Sequence, residues 1–193
     1  MESSSLQLPA NTKPLGMNPL KFALWLFIVS IVMIFASLTS AYIVRKSEGN
    51  WLDFKLPTLF YFTTAILVFC SIFTETAKYY AKRDDLQALK LSLSATFILG
   101  VAFLAGQWYA WKQLVAMNVF FVGNPSGSFV YVLSGLHALH IVGGIVFLLI
   151  VLYMTFKDKI HSKNMLWMEM CTTFWHFLDG LWFYLFLFLI LNR

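Results

Sequence analysis

The sequence predicts an all-α integral membrane bundle of five transmembrane helices, with the N-terminus cytoplasmic and the C-terminus outside. Three observations carry this. Of 193 residues, 60% are hydrophobic and 12% charged, with a mean hydropathy of +0.73, whereas a soluble domain carries about 25% charged residues. The apolar residues gather into five runs long enough to cross a hydrocarbon layer roughly 30 Å thick. The basic residues gather in the short segments between those runs, unevenly on the two sides.

A polar tail, residues 1–19, precedes the transmembrane domain, residues 20–193. The first span runs from about Leu20 to Val44. It follows the tail and is longer than the apolar part of a signal peptide, so it is expected to remain as an anchor. The second span runs from Pro57 to Tyr79, with Pro57 expected in the first turn, where its missing N–H is no loss. The third, Leu89 to Trp111, is the least uniform, with Ser92, Ser94, Thr96, Gly100, Gly106 and Gln107 along it. Small and weakly polar residues suit a helix packed among other helices. The segment Ala116 to Ser128 combines Val119-Phe120-Phe121-Val122 with the turn signal Gly123-Asn124-Pro125-Ser126-Gly127. It reads either as a stretch lying in the membrane interface or as a plain connector. The fourth span runs from Phe129 to Phe156 and the fifth from Leu166 to Leu191.

Orientation follows from Lys and Arg. One side receives Lys13, Lys21, Lys78, Lys82, Arg83, Lys90, Lys157, Lys159 and Lys163; the other receives Arg45, Lys46, Lys55, Lys112 and Arg193. Nine against five places the N-terminus inside. The same placement explains the net charge of +5 without a nucleic-acid partner. Cys70 and Cys171 both fall within spans and are expected to be free thiols packed as small apolar residues.

Ionisable residues inside spans are costly and call for a reason. Glu75 falls in the last turn of the second span, near the surface. The fourth span carries His137 and His140; the fifth carries Glu169, His176 and Asp179. At 1.5 Å rise per residue, about 12 and 16 Å of helix separate His137 and His140 from the start of their span, and about 15 and 20 Å separate His176 and Asp179 from the start of theirs. In antiparallel neighbours, His140 then lies level with His176, and His137 with Asp179. These four side chains are expected to form one interhelical polar cluster. It could knit the helices together, relay protons or hold a cofactor. Trp175 lies too deep for an interfacial belt and is expected inside the bundle.

The stretch from Gly127 to Gly144, containing Ser134-Gly135-Leu136-His137-Ala138-Leu139-His140-Ile141-Val142-Gly143-Gly144, resembles the T/S-G-x-H-x-x-H-V/I-x-x-G signature of haem–copper (cytochrome c) oxidase subunit III. Glu169, followed by Phe174-Trp175-His176-Phe177-Leu178-Asp179-Gly180-Leu181-Trp182, is similar to that family's glutamate and W-H-F-x-D-x-x-W signature. Ser30, Phe35, Ala41 and Tyr42, then Pro57, Thr64, Cys70 and Ser71, then Gln107 and Trp111 resemble the earlier helices of its short five-helix bacterial form. Two positions depart: Ile31 and Ala110 stand where the family has glutamates.

The resemblance implies a non-catalytic core subunit of a proton-pumping terminal oxidase in the bacterial inner membrane. It implies no cofactor on this chain, with haem and copper held by partner subunits, direct packing on subunit I, and subunit II in the same complex. It also implies a cleft holding phospholipids, which supports proton uptake and prolongs enzyme life. On that resemblance His137, His140, Glu169, Trp175, His176 and Asp179 are lipid-cleft or packing residues, not metal ligands. A haem-binding membrane cytochrome, or a related subunit of a nitric oxide reductase or quinol oxidase, is the alternative.

Overall fold

A computed structural model describes residues 18–158, 160 and 164–192. Lys13, Lys159, His161, Lys163 and Arg193, together with most of the N-terminal tail, lie outside the described residues. Five helices follow one another: α1 (Pro19–Ser47), α2 (Leu59–Lys82), α3 (Leu86–Ala116), α4 (Pro125–Phe156) and α5 (Leu166–Leu191). All five are long and apolar enough to cross a membrane, and no strand occurs among the described residues.

Local chemistry sets where they start. Asn18 accepts from the Leu20 N–H at 3.0 Å and caps α1, whose first residue is Pro19. Asp85 caps α3 by accepting from the Ala88 N–H at 3.1 Å. Two sequence expectations are corrected here. Pro57 precedes α2 rather than sitting in its first turn; its carbonyl accepts from the Phe60 N–H at 3.0 Å in the turn leading in. And α4 begins four residues before Phe129, because Asn124 accepts from the Ser126 N–H at 3.0 Å with Pro125 at the first helical position. The expected turn is thus a helix cap. The same residues pin the α1–α2 linker: Asn124 bonds the backbone of Asn50 and Leu52, and the Ser126 hydroxyl donates to the Leu52 carbonyl at 2.8 Å.

Successive helices alternate in direction. Thr63 on α2 meets Gln107 on α3, and Trp111 near the end of α3 meets Ser134 near the start of α4. Thr64 on α2 meets Trp182 on α5. Helix α1 runs parallel to α5, since Lys21 pairs with Glu169 at one end while Tyr42 bonds the Asn192 carbonyl at the other. Helices α2, α3, α4 and α5 close a ring in which each touches two neighbours, and α1 lies outside that ring, against α4 and α5 only.

The bundle is apolar outside and partly polar within. Trp25, Leu26, Met33, Phe62, Leu91, Ile98 and Leu139 are exposed, while Thr63, Thr74, Ser92, Thr96, Gln107, Ser134, Thr155 and Thr172 are buried. Lipid accepts the first set, and a dry interior accepts the second only if each hydroxyl finds a carbonyl. Most do so along their own helices: Thr64 to Phe60, Thr74 to Cys70, Thr96 to Ser92, Ser134 to Val130 and Thr172 to Met168, all four residues back. Cys70 and Cys171 are free and buried, as expected.

The small residues of the third span take the expected part. Gly100 lies against Trp175, and Gly106 lies so close to Thr63 that a Cβ there would stand 2.5 Å from its methyl group. Gly106→Ala is therefore expected to lower the unfolding free energy in detergent by about 1–2 kcal/mol. Thr63 has to shift and weaken its bond from Gln107, which is already 3.3 Å long. The double variant Gly106→Ala/Thr63→Ser, lacking the methyl, is expected to recover most of that loss.

Candidate functional site

The signature residues lie on the facing halves of α4 and α5, but their side chains divide among three neighbourhoods. In the first, His137 is wholly buried, its ring 5.0 Å from Trp182 and 5.9 Å from Phe103 between centroids. Neither ring nitrogen has a hydrogen-bond partner among the described residues. Trp182 is the hub of this layer. It donates to the Thr64 hydroxyl at 2.9 Å, stacks on Phe60 at 5.9 Å with planes 8° apart, and meets Phe103 edge-on at 5.2 Å.

The second neighbourhood lies between α5 and α2. His176 Nε2 stands 3.2 Å from the Glu75 carboxylate and Nδ1 stands 2.7 Å from the Ser71 hydroxyl. A carboxylate only accepts, so Nε2 carries the proton, and in the neutral ring Nδ1 accepts from Ser71. Lys78 completes the string at 3.4 Å from Glu75. Asp179, one turn further along α5, lies beside Ser71 yet is 4% exposed, and neither of its oxygens meets hydrogen-bond geometry with any of the described residues. Trp175 is fully buried against Gly100 and Gly144, in keeping with its expected depth.

The third neighbourhood faces α1. His140 Nδ1 is 2.7 Å from the Leu136 carbonyl, and its ring lies 5.7 Å from Phe35 of α1. Beside it runs a groove of about 460 Å³ lined by Leu24, Phe27, Leu139, His140, Gly143, Phe147 and Phe174. One helical turn before Leu24, Lys21 forms an ion pair with Glu169 at 2.5 Å, joining the first turns of α1 and α5.

The expected single cluster of His137, His140, His176 and Asp179 is therefore not formed. His137 lies level with Trp182 rather than Asp179, and Gly144 meets Trp175 and Leu178. The two helices are thus offset by about one turn from the expected register. Rotation does the rest: successive residues of a helix turn by about 100°, so Trp175 faces α3 and α4 while His176 faces α2. Reasoning from the sequence also missed Lys21, Ser71 and Thr64 as partners. Ser71 and Glu75 are four apart on one face of α2, which is the one signal that pointed to them.

The two departures from the resemblance have a clear structural consequence. Ile31 is 1% exposed and Ala110 is fully buried, so the places where glutamates were anticipated are dry, packed apolar positions. Among the described residues, no three of His, Cys, Asp or Glu converge as metal ligands.

Comparison with known proteins agrees with the signatures. A family model described as cytochrome c oxidase subunit III matches residues 51–192. The chain is 29% identical over 169 residues to a probable cytochrome c oxidase subunit 3 from Nocardia farcinica (strain IFM 10152), covering 83% of this chain and 82% of that one. It is 28% identical over 175 residues to the cytochrome bo(3) ubiquinol oxidase subunit 3 of Buchnera aphidicola subsp. Schizaphis graminum (strain Sg), covering 89% and 93% respectively. It is 27% identical over 167 residues to the cytochrome c oxidase subunit 3 of Bacillus sp. (strain PS3), covering 84% and 80%. The matched region takes in the four-helix ring with its histidines, Glu169, Trp175 and Asp179, and leaves α1 outside it. With five helices of spanning length, the chain is a multi-pass membrane protein that belongs to the cytochrome c oxidase subunit III family.

Proposed function

We propose that this chain is the non-catalytic subunit III of a haem–copper terminal oxidase in a bacterial inner membrane, with its N-terminus in the cytoplasm. It packs on subunit I, shares the complex with subunit II, and binds no haem or copper itself; reduction of oxygen to water takes place in its partner. His137, Trp175 and Asp179 serve helix packing. His140 borders a groove for phospholipid chains, with the Lys21–Glu169 pair one turn from its end. Held lipid keeps the surroundings of subunit I hydrated and ordered at the point of proton entry, and so prolongs the working life of the enzyme.

The observation that carries this reading is the groove. It is open along the bundle's lipid side, its wall is apolar apart from one imidazole, and an ion pair able to meet a headgroup lies near one end. The haem-cytochrome alternative needs two histidines facing one another across helices. Here His137 is enclosed by Phe103 and Trp182, His176 is bonded to Ser71 and Glu75, and His140 faces Phe35. The relatives include subunits of both a cytochrome c oxidase and a ubiquinol oxidase, so the electron donor follows from the partner subunits.

Deleting the chain is expected to leave the initial rate of oxygen consumption within about twofold of the complete oxidase while shortening the number of turnovers before inactivation at least several-fold. Oxygen-electrode traces at saturating reductant read both quantities. Loss of first-turnover activity, or an unchanged lifetime, would count against the supportive role.

A further inference from the structure

The groove beside His140 asks for an occupant more specific than an acyl chain. Its wall offers a single polar group. The His140 Nδ1 atom is 2.7 Å from the Leu136 carbonyl, and a carbonyl can only accept, so Nδ1 holds the proton and the neutral ring presents Nε2 as a bare acceptor. No described residue donates to Nε2.

Position along the helix sharpens the demand. His140 lies about 22 Å along α4 from Pro125, in a helix about 48 Å long, so it sits near the middle of the bilayer. Headgroups do not reach that depth and acyl chains carry no donor there. An acceptor left unpaired in such surroundings loses the interaction that water would have given it. The complementary ligand is therefore apolar, soluble in the membrane, and carries an O–H. The walls add a shape. Phe27 and Phe174 lie 5.8 Å apart and Phe147 and Phe174 6.5 Å apart between centroids, forming an aromatic surface for a planar ring. Gly143 keeps the floor open, since a Cβ there would meet nothing within 4 Å.

We propose that this groove binds a membrane hydroquinone, its phenolic O–H donating to His140 Nε2 and its ring lying against Phe27, Phe147 and Phe174. The isoprenoid tail leaves along α1 into lipid. This deepens the lipid-holding reading by naming the occupant, and it rests on that reading. It is a binding site with no electron transfer assigned to it. Chemistry sets its selectivity: the oxidised quinone offers only carbonyl oxygens, which would face the Nε2 lone pair, so the reduced form is preferred by about tenfold or more.

The test uses the purified oxidase complex in nanodiscs, fully reduced and anaerobic, with decylubiquinol and decylubiquinone as probes. Bound probe and retained phospholipid are extracted and quantified together. The native complex is expected to bind one equivalent of decylubiquinol that is lost in both His140→Phe and Gly143→Leu, and to bind decylubiquinone at that site at least tenfold more weakly. A Cβ at Gly143 meets no protein atom within 4 Å, so Gly143→Leu decides the matter if His140→Phe does not assemble. Equal binding of the two redox forms, or hydroquinone binding undiminished in Gly143→Leu, overturns the proposal. Phospholipid displaced by Gly143→Leu with no hydroquinone bound in the native complex overturns it too, while leaving the lipid-holding reading standing. A native complex that retains no phospholipid at all overturns both.

Discussion

Trp182→Ala is expected to remove about 3–5 kcal/mol from the stability of the bundle in detergent, as large aromatic truncations in packed interiors do. The indole joins three helices: it stacks on Phe60 of α2, meets Phe103 of α3 edge-on, lies against His137 of α4, and bonds Thr64. In lipid, helices do not associate to escape water, so close packing and interhelical hydrogen bonds carry the association. The variant loses both at one point and leaves a cavity that the ring of four helices cannot close without moving all of them. Trp182→Phe keeps most of the packing and loses the N–H, and is expected to cost about 1 kcal/mol. Unfolding in mixed micelles with increasing SDS, followed by tryptophan fluorescence or circular dichroism, measures both. A loss below about 1 kcal/mol for the alanine variant would mean that this layer does not hold the ring together.

The second large effect has the opposite sign. Asp179→Leu is expected to raise stability by about 1–3 kcal/mol, because the carboxyl is buried with neither oxygen hydrogen-bonded among the described residues, and leucine keeps the same branching at Cγ without the desolvation cost. The side chain is 4% exposed, so a neighbouring subunit has no direct access to it. The substitution is accordingly expected to leave the subunit composition of the purified complex unchanged. Destabilisation by more than about 1 kcal/mol would show that Asp179 has polar company in the folded protein beyond Ser71.

The contrast between these two residues shows what the sequence can and cannot express. Spanning segments are legible because hydropathy is a collective property of some twenty residues, and the Leu166–Leu191 helix lies where it was placed. The burial of Trp175 followed from depth alone. The direction of each side chain did not, because it depends on helix rotation and on the register between neighbours. An offset of one turn moved His137 beside Trp182, and the 100° between Trp175 and His176 sent the second towards α2. Asn124-Pro125-Ser126 has the composition of a turn and also of a helix cap; contact with the linker residues Asn50 and Leu52, distant in sequence, accompanies the second outcome. Lys21 looked like a topological marker and is the partner of Glu169.

The subunit assignment is tested most directly by extracting the tagged chain from native membranes in mild detergent and recording the mass and visible spectrum of what comes with it. Co-purification with a haem-bearing oxidase subunit I is expected, with the haem bands disappearing from the sample once the chain is stripped free. The chain emerging alone with a Soret band of its own would contradict it.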